Sequence, residues 1–153
     1  MAELRDLYQE VILEHAKAPR NYRALIEPTQ KAEGHNPLCG DRCSVYLRTN
    51  GDVIEEIAFQ GVGCAISRAS ASMMTQAVQG KTVSEAEEVL RSFLALVTGQ
   101  SAADPARFGK LAVFSGVSAF PVRVKCATLA WHTLEAALHG DREPVSTESE
   151  ERR

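Results

Sequence analysis

The stretch 43–59, CSVYLRTNGDVIEEIAF, constrains the fold more than any other part of this chain. Cys43, Val45 and Leu47 alternate with Ser44, Tyr46 and Arg48, Asn50-Gly51 marks a tight turn, and Ile57 and Phe59 share one side of the returning segment. Alternation with period two on both sides of an Asn-Gly turn predicts a β-hairpin with one buried face. Cys43 belongs to the apolar side of that alternation and is expected in the core.

The segments around the hairpin read mainly as helices. Leu4, Leu7, Tyr8, Val11, Ile12 and His15 recur at helical spacing over 3–17, with Pro19 as the stop. A polar, proline-bearing connection is predicted for 18–38. After the hairpin, Cys64 precedes a helix carrying Ile66, Ser70, Met73, Met74, Ala77 and Val78, closed by Gly80. The next helix carries Ala86, Val89, Leu90, Phe93, Leu94 and Val97, with Ser84 and Glu87 read as a capping box and Gly99 as the stop. Residues 99–120 read as a long ordered loop anchored by Leu111, Val113 and Phe114. Pro121 opens a last helix with Ala127, Ala130, Trp131, Leu134 and Leu138 along one side, ending at Gly140. One domain over 1–140 is predicted, with a charged, disordered tail over 141–153.

At 153 residues, 44% hydrophobic and 24% charged, the chain can bury a core without disulfide staples. It has no run of about 18 apolar residues, so neither secretion nor a membrane-spanning role is predicted, and the cytoplasm is the expected compartment. A net charge of −3 and a pI near 5.8 supply no basic footprint, so neither nucleic acid nor a membrane is an expected partner.

In a reducing compartment the four cysteines should be free thiols, available for metal or sulfur chemistry. Cys39 lies in the loop NPLCGDRC entering the hairpin, Cys64 leaves the hairpin for a helix, and Cys126 begins the last helix. The three can converge at one end of the fold. Helix starts present unpaired N–H groups and a partial positive charge, which favour the thiolate that binds metal and attacks sulfur. Asp41, two positions from Cys39, leaves the same face of an extended backbone, so three thiolates and one carboxylate make enough ligands for a tetrahedral zinc site. Each cysteine could instead be a small buried hydrophobe, but the glycines in PLCGD and GVGCA argue for close backbone approach at Cys39 and Cys64. His35 is a substitute ligand candidate; His15, Met73, Met74 and Trp131 are expected to pack.

Four segments, LYQEVILEHAKAPRN, NPLCGDR, FQGVGCAISRASASMM and PVRVKCATLAW, together resemble the signatures of the U-type (SufU, IscU and NifU N-terminal-like) iron–sulfur cluster assembly proteins over roughly residues 7–138. The chain is more similar to the SufU branch: Lys125 stands where IscU-like scaffolds have a histidine before the last cysteine, and residues 99–117 look like the extra SufU segment.

The resemblance implies an α+β fold, with a small antiparallel sheet, helices packed against one face and a metal site at one end. It implies Cys39, Asp41, Cys64 and Cys126 as metal ligands and Zn2+ as the metal, with Cys39 also the catalytic acceptor of a persulfide from a SufS-like cysteine desulfurase. Downstream iron–sulfur scaffold proteins would be further partners. The function expected is a zinc-dependent sulfur carrier, a sulfurtransferase of the SUF system. The alternative is a scaffold on which iron or a [2Fe–2S] cluster is held and passed on, although three thiolates with one carboxylate make an unusual cluster set. A third reading is a structural zinc domain with four inert ligands.

Overall fold

A computed structural model describes residues 2–38, 40–101, 105–140 and 144–147, with side chains described from residue 9 onward except at 105 and 107. In chain order the elements are α1 (Ala2–Lys17), β1 (Gln30–Asn36), β2 (Asp41–Asn50), β3 (Val53–Val62), α2 (Ala65–Val78), α3 (Val83–Val97), α4 (Pro105–Phe108), a 3-10 segment (Gly109–Ala119), α5 (Pro121–Leu138) and β4 (Val145–Ser146). The fold is α+β, as the resemblance implied.

The hairpin forms as predicted, β2 pairing antiparallel with β3 so that Val45 opposes Phe59 and Leu47 opposes Ile57. Cys43, Val45, Leu47, Ile57 and Phe59 are buried in the main core. The other face is partly covered as well: Leu25, from the segment before β1, packs with Tyr46 and Ala58. The same segment closes the free edge of β3, where Arg23 N–H donates to Phe59 O and Phe59 N–H to Asn21 O, both at 3.0 Å. An exposed edge of a sheet invites unwanted pairing, and this strap removes it.

The connection predicted for 18–38 is corrected at its end, because Gln30–Asn36 is a strand, antiparallel to β2. Its inward residues are Ala32, Gly34 and Asn36, too small and polar to read as a strand pattern. The reason lies in α5, which crosses β1 closely: a Cβ on Gly34 would stand 2.2 Å from Thr133 Oγ1 and 3.2 Å from Leu129 Cδ1. Only a strand stripped of side-chain bulk fits under that helix.

Part of the segment expected to be a disordered tail is also corrected. Val145–Ser146 pairs parallel with β1 at Gly34 and His35, and Val145 is fully buried. The sheet is therefore mixed, in the order β3-β2-β1-β4, rather than wholly antiparallel. Residues 141–143 and 148–153 lie outside the described residues.

The helices lie against the inner face of the sheet, α5 over β1 and β2 and α2 against α5. His15 of α1 is buried, its Nδ1 2.7 Å from Ser72 Oγ of α2, and burial beside Arg20 holds its imidazole below the ordinary range. The predicted loop over 99–120 is corrected to α4 and the 3-10 segment, whose Phe114 meets Phe93 edge-on at 5.6 Å. Glycine and serine in that stretch hide its apolar anchors from any helical period. Among the described residues, no helix is long and apolar enough to cross a membrane.

The predicted capping box is shifted by two residues. Thr82 is the N-cap of α3, its hydroxyl accepting from Glu85 N–H at 3.1 Å while the Glu85 carboxylate accepts from Thr82 N–H at 3.0 Å. Thr82→Ala is expected to lower stability by about 1 kcal/mol, whereas exposed Ser84→Ala should change it by less than about 0.5 kcal/mol. Urea midpoints of the two variants check this; equal midpoints would show that the cap contributes nothing.

Candidate metal centre

Three elements deliver the site. Asp41 is the first residue of β2, Cys64 is the N-cap of α2 directly after β3, and Cys126 lies in α5. Cys126, expected at a helix start, sits in the second turn, past the unpaired N–H groups of the helix end. One carboxylate oxygen and the two sulfurs all lie within 4.8 Å of one another, with Asp41 and Cys126 buried and Cys64 half-buried. Cys39 lies outside the described residues.

Asp41 is oriented by the start of α2. Cys64 N–H donates to Asp41 Oδ1 at 3.3 Å, and the Cys64 thiol lies 4.0 Å from Asp41 Oδ2. A carboxylate at a helix N-terminus is favoured by the partial positive charge there. Gly63 makes the approach feasible, since a Cβ on it would stand 3.0 Å from Asp41 Oδ1 and 2.9 Å from Ser67 Oγ. The close approach inferred at Cys64 from GVGCA is thus an approach to the Asp41 carboxylate.

The donor set suits zinc. Four-coordinate zinc with Zn–S bonds near 2.3 Å brings its sulfurs to about 3.8 Å apart, so a cluster spread over no more than 4.8 Å needs a contraction of about 1 Å. Two thiols and a carboxylate supply three ligands and leave a fourth position for another residue or an exogenous group.

Other sequence candidates fall elsewhere. Cys43 is 6% exposed inside the core, and burial pushes its thiol up to about 12, which leaves it inert at neutral pH. His35 is not in the loop that the sequence suggested but on β1, exposed and turned to the face opposite Asn36, and it does not join the cluster. Arg123 and Lys125 lie in the opening turns of α5, Arg123 exposed and Lys125 half-buried.

Asn36 is not among the ligands expected from the sequence, yet it borders the cluster. It is fully buried and is the direct cross-strand partner of Asp41. Its signal was present as the third member of the inward series Ala32, Gly34, Asn36, legible only once β1 is recognised as a strand.

A mixed sheet covered by helices on one face, with two thiols and a carboxylate gathered where β2, α2 and α5 meet, defines an α+β domain carrying a cluster of side chains that could hold a metal ion. The chain belongs to the NifU-like N-terminal domain family, which matches it over residues 7–127. It is 42% identical over 134 residues to the zinc-dependent sulfurtransferase SufU of Bacillus subtilis, covering 88% of this chain and 90% of that protein. It is 40% identical over 138 residues to the iron–sulfur cluster assembly scaffold protein IscU of Streptococcus pyogenes, covering 90% of this chain and 86% of that one. A crystal structure ascribed to an iron–sulfur cluster assembly scaffold protein for the SUF system of Fervidobacterium islandicum superposes with a TM-score of 0.79 at 36% identity, covering 84% of this chain and 94% of that chain.

Proposed function

We propose that this protein is a zinc-dependent sulfur acceptor and carrier in iron–sulfur cluster biosynthesis, taking persulfide sulfur from a cysteine desulfurase and passing it to downstream scaffold proteins. The observation that carries this reading is the convergence of Asp41, Cys64 and Cys126 within 4.8 Å. In the proposal Cys39, two residues before Asp41 in the sequence, is the fourth ligand and the acceptor. The zinc-dependent sulfurtransferase relative favours the same reading.

When bound, zinc would keep the cysteine ligands as thiolates at neutral pH. The Cys39 thiolate then attacks the outer sulfur of the donor's persulfide. A new S–S bond forms on Cys39, the donor S–S bond breaks, and the donor cysteine leaves as its thiolate. Cys64 and Cys126, anchored on helices, keep their places, and Asp41 is held by Cys64 N–H. Leu38, Val62, Phe120 and Val122, near Asp41, Cys64 and Cys126 in the sequence, are exposed at 62%, 62%, 61% and 56%, apolar surface suited to partner docking. Chemistry of free thiols belongs to a reducing compartment, which for this reading is the cytoplasm.

The test is to incubate the protein with a cysteine desulfurase and cysteine and to map adducts by peptide mass spectrometry. The expected result is a gain of one sulfur atom on the Cys39 peptide, and loss of desulfurase stimulation in Cys39→Ser. Sulfur on Cys64 or Cys126, with Cys39→Ser still active, would overturn the assignment of the acceptor. The scaffold alternative is favoured by the IscU relative; a coloured iron–sulfide preparation, in place of colourless protein holding one zinc, would select it.

A further inference from the structure

We propose that Asn36 is the positioning residue of the metal centre: in the metal-loaded protein its side-chain amide donates a hydrogen bond to the Asp41 carboxylate and fixes how that carboxylate faces the cluster. The inference rests on the metal-binding reading above and concerns how the ligand set is held.

Asn36 and Asp41 are directly opposed in the β1–β2 register. Opposed residues leave the same face of a sheet, with Cβ atoms about 4.5–5.5 Å apart, within reach of a carboxamide. The amide's orientation is set by its other end, since Asn36 Oδ1 accepts from Leu38 N–H at 3.1 Å. Nδ2 is thereby turned inward. It is buried and has no hydrogen-bond partner, although Asn36 is fully enclosed. A buried donor left unpaired is unfavourable and calls for a reason. The Asp41 carboxylate supplies one: it has about four acceptor sites, and Cys64 N–H takes one of them at Oδ1. Metal-binding carboxylates are themselves held by hydrogen bonds from neighbouring groups.

Asn36 also grips the residues on either side of Cys39. Its side chain takes Leu38 N–H, and its main-chain oxygen accepts from Gly40 N–H at 2.8 Å. One residue thus holds Leu38 and Gly40, the sequence neighbours of the proposed acceptor, and stands opposite the carboxylate of Asp41. The rival partner for Nδ2 is Thr147, whose Oγ1 is also buried and without a partner, and whose N–H reaches His35 O at 3.2 Å beside Asn36.

The experiment measures zinc affinity by competition with a chromophoric chelator, and the visible spectrum of the cobalt(II)-substituted protein, for wild type, Asn36→Asp and Thr147→Val. Asn36→Asp keeps an oxygen for Leu38 N–H and replaces the donor by an acceptor facing Asp41. It is expected to weaken zinc binding by about 10–100-fold and to shift the cobalt d–d bands, with Thr147→Val unchanged in both. A second measurement needs no variant: on zinc addition, one Asn36 Nδ2 proton of the wild type should move downfield and become protected from exchange. Unchanged or tighter zinc binding in Asn36→Asp, an amide signal indifferent to zinc, or equal losses in Asn36→Asp and Thr147→Val would overturn the inference. Wild-type protein that takes up no zinc overturns the metal reading and this inference with it; zinc uptake by the wild type with an unchanged Asn36→Asp overturns this inference alone.

Discussion

Removing zinc with a strong chelator is expected to lower the melting temperature by about 8–16 °C while leaving a folded apo-protein. A ligand present at a thousand times its dissociation constant stabilises the native state by about 4 kcal/mol, and in a domain of this size each kcal/mol moves the midpoint by about 2–4 °C. The apo fold survives because its core does not depend on the cluster: Trp131, Phe93, Phe114, Leu47 and Ile57 are all fully buried elsewhere. Cys64→Ser and Cys126→Ser should melt at the apo temperature whether or not zinc is added. Cys43→Ser puts a hydroxyl into the core and should lower the midpoint while keeping the full response to zinc. Calorimetry with and without chelator, alongside elemental analysis, checks all four proteins. A wild-type curve indifferent to chelator, from protein containing no zinc, would remove the metal reading.

Trp131→Ala should have an effect of similar size through the scaffold. The indole is fully buried, stacks on Phe93 of α3 at 4.4 Å and 14°, and donates from Nε1 to Ser70 Oγ of α2 at 3.0 Å. Ser70 Oγ in turn donates to Ala127 O of α5 at 2.5 Å. Truncating a buried Trp to Ala costs about 3–5 kcal/mol, or about 6–20 °C here, because the cavity collapses only in part. The consequence extends to the site, since α2 follows Cys64 and α5 carries Cys126. Trp131→Ala is therefore expected to weaken zinc binding as well as to destabilise the protein, and Trp131→Phe to do less of both. Urea unfolding at fixed zinc, paired with chelator competition, separates the two effects. A stability loss with undiminished zinc affinity would show that the helices keep the sulfurs in register without this link.

Much of this protein is legible in its amino-acid order because local periodicity encodes it. The hairpin was readable from alternation around Asn50-Gly51, and α2, α3 and α5 from apolar spacing and end signals. The pairing of Cys64 and Cys126 with Asp41 followed from placing ligand-type residues near the ends of those elements. What local pattern cannot encode is how closely elements approach. β1 went unread because Gly34 must be bare to pass under Thr133, and β4 because a two-residue strand has no period. The same holds within the 3-10 segment, where Phe114 declares itself only through Phe93. Asn36 was hidden for the same reason. A buried asparagine in a polar stretch has no signal of its own, and its position opposite Asp41 exists only once β1 and β2 are paired in register, a fact of tertiary structure decided by the helix that packs across them.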